Sequence, residues 1–145
     1  MLKHNLLSSF LVKCSFNQID VDYPKYLSYV RVPIVTPAEC KRSYGLDEDG
    51  NDIITRNMIC AGYPGIGGKD ACKGDSGGPL VCYQGGAAVV VGVVSWGAGC
   101  ALPDFPGVYA RTSPVLNWIR CHMEVSYSHI FQRSQNNQNF KINFL

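Results

Sequence analysis

The stretch Asp70-Ala71-Cys72-Lys73-Gly74-Asp75-Ser76-Gly77-Gly78-Pro79 gathers much of what acyl transfer requires. A serine hydroxyl is a weak nucleophile unless a base can reach it, so the serine has to stand on a tight, accessible turn. The glycines flanking Ser76 permit such a turn. They also let the amides of Gly74 and Ser76 converge on a developing oxyanion, a donor pair that contributes in the transition state rather than in the ground state. Asp75 is too close in sequence to act as the orienting acid of a triad; its expected part is to hold the loop through a salt bridge. Pro79 then leads into a strand.

Other chemistries fit these residues less well. Gly74-x-Ser76-x-Gly78 also satisfies the nucleophile elbow of α/β-hydrolases, with Asp104 and His122 or His129 following in order, but that elbow needs a helix after the serine. A phosphate loop is excluded because Gly68-Lys69 is followed by Asp70, and Tyr63 stands where the first glycine belongs. Asp47, Glu48, Asp49 and Asp52 form an acidic cluster, yet Asp52 occupies the place where a calcium loop needs glycine, so a solvated surface loop is expected. His122 and His129 lie in the C-terminal stretch and are expected to be plain surface residues, because a loose tail does not hold the geometry a base requires.

The elements that must position Ser76 follow from pattern. Leu27 to Val35 is strand-like and ends at Thr36-Pro37-Ala38-Glu39, a capping box with proline in the first turn that predicts a short helix to about Tyr44. Leu80 to Tyr83 and Ala87 to Ser95 predict two strands joined at Gln84-Gly85-Gly86. A second helix is predicted from Ser113-Pro114, with Val115, Leu116, Trp118 and Ile119 as its apolar face and Trp118 in the core. Trp96 is expected to contact substrate instead.

All fifteen glycines lie between Gly45 and Gly107, and all eight prolines between Pro24 and Pro114. That shift divides the chain into an atypical N-terminal segment 1–22, a folded region 23–120 and a tail 121–145. The tail carries Gln132, Gln135, Asn136, Asn137, Gln138 and Asn139 and is expected to be disordered.

The chain has 145 residues and a formal charge of +2, enough for one domain. Its Lys and Arg residues are scattered, so neither nucleic acid nor an anionic membrane is an expected partner. No apolar run approaches the length of a spanning helix, which predicts a soluble chain. The seven cysteines, Cys14, Cys40, Cys60, Cys72, Cys82, Cys100 and Cys121, lack the histidine spacing of zinc sites and point to disulfides in an oxidising compartment; the odd count leaves one over. No metal and no cofactor is expected. Leu6 to Val12 is too broken by Ser8 and Ser9 to make a convincing secretory signal.

Further motifs stand in register with the serine segment: Met58-Ile59-Cys60-Ala61-Gly62-Tyr63, Val94-Ser95-Trp96-Gly97-Ala98-Gly99-Cys100 and Pro106-Gly107-Val108-Tyr109. Together they resemble the chymotrypsin family, peptidase S1, over about residues 23–119, the second of that family's two barrels. The resemblance implies an all-β, trypsin-like antiparallel barrel with a short inserted helix and a C-terminal helix, in a secreted serine endopeptidase cleaving after Arg or Lys. By the same resemblance Ser76 is the nucleophile, Gly74 and Ser76 supply the oxyanion hole, and Asp70 sits at the base of the specificity pocket. Gly97 and Gly107 leave that pocket's walls open, and Ser95 to Gly97, including Trp96, form the edge that pairs with substrate. It also implies disulfides Cys40–Cys60 and Cys72–Cys100, leaves open a bridge from Cys82 to Cys14, and makes Cys121 the odd thiol.

The same comparison carries departures. The family's catalytic histidine and aspartate belong to the first barrel, and none of His4, His122 and His129 has the neighbours of that histidine. No Ile-Val-Gly-Gly start is present to pair with Asp75, so an inactive-like oxyanion loop is expected. The chain alone is therefore expected to be inactive. Its expected partners are Arg- or Lys-containing peptides and proteins, protease inhibitors and a separate first barrel. The alternative is a catalytically dead binding module with an intact pocket.

Overall fold

The computed structural model describes residues 8–13, 28–130 and 143–144. Its elements in chain order are β1 (Ser8–Lys13), β2 (Ser28–Val35), α1 (Pro37–Tyr44), β3 (Met58–Ala61), β4 (Pro79–Gln84), β5 (Ala87–Trp96), β6 (Gly107–Arg111), a 3₁₀ turn (Ser113–Val115), α2 (Leu116–Ile130) and β7 (Asn143–Phe144).

Six strands close into a ring. The order β4-β1-β2-β3-β6-β5 is completed by pairing of β5 back onto β4, and each of these contacts is antiparallel. Closure leaves no free edge among the six, and β7 adds a short parallel pairing to β5. The all-β barrel with two helices is the architecture the sequence motifs imply. Strand β1 falls in the N-terminal segment that composition had set apart, and it stands between β2 and β4.

Helix α1 begins as its sequence dictates. The Thr36 hydroxyl accepts from the Glu39 amide while the Glu39 carboxylate accepts from the Thr36 amide and hydroxyl, and Gly45 closes the helix at positive φ. Cys40 on its inner face is bonded to Cys60 of β3, with Cα atoms 6.2 Å apart. That cross-link ties the helix to the barrel wall.

Two clusters make the core. Val32, Ala61, Leu80 and Tyr109 fill the barrel, and Val35, Cys40, Ile54, Cys60 and Val108 fill the space under α1. Gly92 interrupts the valine run of β5 for a reason: a Cβ there would lie 3.0 Å from Tyr109 and 3.1 Å from Ile59. Close-packed interiors give little at such distances.

Two expectations for the C-terminal part change. Trp118 is not in the core; it is 63 % exposed on α2, where its ring lies 4.2 Å from that of His122. Of the expected apolar face, Leu116 and Ile119 are half-buried, Val115 in the 3₁₀ turn is exposed, and none of the described elements covers Trp118. The helix also runs on to Ile130, past the boundary near residue 120. Absence of glycine and proline there, which suggested a change of character, equally permits a continuous helix. No helix among the described residues is long and apolar enough to cross a membrane.

Candidate active site

The loop between β3 and β4 is built from consecutive tight turns. The Asp75 amide donates to the Cys72 carbonyl at 3.0 Å and the Gly78 amide to the Asp75 carbonyl at 2.9 Å. Gly74 and Gly77, on either side of Asp75-Ser76, both have positive φ, +95° and +83°, which a residue with a Cβ adopts only at a cost. The far end of the loop is tied to β5, since Gly77 donates to Val94 O and Val94 donates to Gly78 O. Ser76 is thereby held exposed at the end of β5.

Ser76 lines a cavity of about 260 Å³ together with Asp70, Lys73, the β5 end from Val94 to Gly97, and Gly107 to Tyr109 of β6. A bulge shapes its mouth. The β5–β6 register slips between Val94 and Trp96, giving β5 one residue more than β6. Trp96 packs edge-on against Tyr44 at 4.9 Å between ring centres, and Tyr44 in turn meets Phe105 at 5.6 Å. The Tyr44 hydroxyl donates to Pro106 O at 2.7 Å. Helix α1 thus braces the cavity's aromatic side, a function that its sequence pattern alone did not show.

Asp70 is the buried charge of this cavity, with 5 % exposure. Its Oδ1 accepts from the Ala71 amide at 2.7 Å and its Oδ2 from the Ala101 amide at 3.1 Å. These bonds fix the carboxylate in place. The two wall glycines face each other: a Cβ on Gly97 would stand 4.0 Å from the Gly107 Cα, and one on Gly107 would meet Asp70 Oδ1. The disulfide Cys72–Cys100 joins the loop carrying Ser76 to the opposite wall, and both cysteines line the cavity.

Asp75 is buried, and its Oδ2 accepts from the Cys72 amide at 2.8 Å. Among the described residues, no group accepts a hydrogen bond from the amides of Gly74 or Ser76. The Ser76 hydroxyl likewise makes none to a described residue. The cavity therefore combines an accessible hydroxyl and a buried carboxylate, and the amides of Gly74 and Ser76 in the adjoining turn are uncommitted among the described residues.

Tyr109 was noted only as part of a motif, yet it sits beside Asp70. Its hydroxyl is buried and meets no hydrogen-bond partner among the described residues; the Ala71 amide lies near but donates to Asp70. Burial raises its phenol above the ordinary value, and the Asp70 charge raises it further. A signal was present in the sequence: Gly107 and Tyr109 are two apart on one strand, so they share a face. Lys73 is the other residue passed over. It lines the cavity, is exposed, and makes no hydrogen bond or ion pair with a described residue.

The remaining expected residues lie elsewhere or outside the description. His122 is on α2, its Nδ1 2.8 Å from Trp118 O, and it does not line the cavity. Cys121 is exposed on the same helix. Cys82 is buried in β4; Cys14, with which a bridge was left open, lies outside the described residues, as do the side chains of His4 and His129. In the acidic cluster, Asp47 Oδ1 accepts from the amides of Asp49 and Asn51 and Asp52 pairs with Lys41, which makes it a self-closed surface loop.

Comparison with known proteins places this geometry. Residues 15–119 match the Trypsin family. The chain is 50 % identical over 99 residues to Trypsin-1 of Astacus astacus, covering 68 % of this chain and 39 % of that protein. It is 41 % identical over 112 residues to urokinase-type plasminogen activator of Gallus gallus, covering 77 % of this chain and 25 % of that protein. To the clotting factor G beta subunit of Tachypleus tridentatus it is 50 % identical over 99 residues, 65 % of this chain and 31 % of that protein. The chain thus spans between 25 % and 39 % of the length of these relatives.

Proposed function

The chain belongs to the trypsin family, and from that premise we propose that it is the nucleophile-bearing part of a secreted serine endopeptidase that cleaves after arginine or lysine. The observation that carries this reading is the shared cavity: Asp70, a fixed and buried carboxylate, lines the same space as Ser76. A guanidinium or ammonium entering between Gly97 and Gly107 meets Asp70 and forms a charge-assisted hydrogen bond shielded from water. The carbonyl that follows is then presented to Ser76, while the backbone pairs with Ser95 to Gly97.

In this reading Ser76 Oγ attacks the carbonyl carbon as a base removes its proton, and the amides of Gly74 and Ser76 receive the negative charge that develops on oxygen. The base then protonates the leaving amine, and water releases the acyl group by the same route. No histidine lines the cavity among the described residues. In this reading the base and its orienting carboxylate come from a first barrel rather than from the described residues of this chain. Loss of a triad member costs on the order of 10⁴ to 10⁶ in turnover, so the chain alone is inactive. The same observation favours a second reading, a binding module that takes basic side chains without cleaving. Disulfides in the barrel suit the oxidising conditions outside the cell.

The test is labelling of the purified, oxidised chain with an arginine-mimicking fluorophosphonate, with Ser76→Ala as control. No Ser76-dependent labelling is expected from the chain by itself. Labelling lost in Ser76→Ala would reveal a base within the chain or its oligomer and would remove the claim that the chain alone is inactive.

A further inference from the structure

A second cavity, of about 280 Å³, opens between the start of α1, residues 54–60 and the end of β6, and it shares no lining residue with the cavity that holds Ser76. Its buried lining is apolar: Val35 and Ile54 are there, with the Cys40–Cys60 disulfide and half-buried Met58 beside them. Its charged lining is cationic throughout, from Lys41, Arg56 and Arg111, and no carboxylate lines it among the described residues. Lys41 is already paired with Asp52, which stands outside the lining. Neither arginine forms an ion pair with a described residue.

Arg111, the last residue of β6, is half-buried and held against the backbone. Its Nε donates to Arg56 O at 3.2 Å and its Nη2 to Met58 O at 2.8 Å. Two neutral carbonyls thus fix the guanidinium in place without cancelling its charge. A guanidinium carries more N–H donors than these bonds use, and the rest go to no described acceptor. A bare inorganic anion would pair with this cation and leave the apolar lining wet; a neutral apolar molecule would cover the lining and bury the cation without a counter-charge. The cavity is also at the small end of ligand sites, which run from roughly 300 Å³ upwards. We propose that it is a second binding site, for a small organic carboxylate whose carboxylate pairs with Arg111 and Arg56 and whose aryl or alkyl body lies on Ile54, Met58 and the Cys40–Cys60 disulfide. The planar fork of a fixed arginine suits the two oxygens of a carboxylate. Nothing is required of Ser76 or Asp70, so the site is independent of the function proposed for the first cavity.

Calorimetric titration of 4-phenylbutyrate into the full oxidised chain at low salt tests this. Two comparators separate its parts: 4-phenylbutyramide has the same shape without the charge, and sodium sulfate has charge without the apolar body. The acid is expected to bind at least about tenfold more tightly than either, the usual scale for a charged hydrogen bond. Arg111→Gln should bring the acid down to the amide's affinity. Because that change also disturbs the bonds to Arg56 O and Met58 O, Arg56→Gln at an exposed position is the second variant; it should weaken the acid severalfold and leave the amide unchanged. Lys73→Gln, on the lining of the first cavity, should change neither. The proposal is overturned by equal affinity of acid and amide, by sulfate binding as tightly as the acid, or by acid affinity that is unchanged in Arg56→Gln or in a folded Arg111→Gln. Loss of the acid in Lys73→Gln would put the anion in the first cavity and overturn it as well, as would no binding by a chain that keeps its near-ultraviolet dichroism.

Discussion

Gly107 faces Asp70 so closely that a Cβ on the glycine would collide with the carboxylate oxygen Oδ1. The same Cβ would stand 3.1 Å from the Tyr109 hydroxyl. The depth of the cavity therefore depends on a missing methyl group. Gly107→Ala forces the carboxylate or β6 to move, and overpacking of this kind costs about 1–3 kcal/mol. If that cost falls on ligand binding, benzamidine affinity drops roughly ten- to hundredfold. A titration of the variant that matched wild type would show that benzamidine does not bind against Asp70.

Tyr109 places a hydroxyl without a described partner in the core next to that carboxylate. Tyr109→Phe keeps the ring and deletes the hydroxyl, so urea unfolding near neutral pH should show unchanged stability or a gain of up to about 1 kcal/mol. The pH dependence follows from the raised phenol. Below its ordinary pKa of 10.0 the group is protonated folded and unfolded alike; as pH climbs past that value, the unfolded chain ionises first and stability falls. Tyr109→Phe should lose less stability than wild type over that alkaline range. Identical alkaline slopes would place the phenol in water.

The two disulfides brace different things. Cys40–Cys60 pins α1 to β3, whereas Cys72 and Cys100 both line the cavity. Replacing either pair with alanines should lower the unfolding free energy by about 2–4 kcal/mol. Only the Cys72–Cys100 pair should also weaken benzamidine under conditions where both variants stay folded. A reversed pattern, with the Cys40–Cys60 variant losing the ligand, would mean that α1 and not the loop sets the cavity's shape.

Thr36→Ala removes one half of the capping box at the start of α1, and caps of this kind contribute about 1 kcal/mol. Thermal unfolding should register that loss. Because Tyr44 at the far end of α1 braces Trp96, a decrease in Trp96 anisotropy should accompany it.

How much of this was legible in the sequence differs by kind of information. Thr36, Pro37 and Glu39 specify a helix start through contacts three residues apart, so the capping box was readable and is present. The β4–β5 hairpin was equally local. Trp118 was not readable, because an apolar stripe announces that a face wants covering without saying whether anything covers it. The part of Tyr44 was hidden for a related reason: its partner Trp96 is 52 residues along the chain, and no short pattern encodes a contact of that range. Around the site, Asp70, Ser76, Gly97 and Gly107 came from a family resemblance and are found together around one cavity. Lys73 and Tyr109 carry no such local pattern, because only the folded chain sets one on the cavity lining and buries the other's hydroxyl beside Asp70 without a described partner.

The cavity is above all a receptor for a cationic side chain in the proposed function. Fluorescence titration of p-aminobenzamidine into the folded, oxidised chain tests this, with Asp70→Asn as the comparison. The carboxylate and amide are nearly the same size, so the substitution removes charge with little change of shape. Wild type should bind saturably and Asp70→Asn at least about tenfold more weakly, the scale of a shielded charge-assisted bond. Equal affinity in the two proteins would contradict that function, because the probe's cation would then be held somewhere other than Asp70.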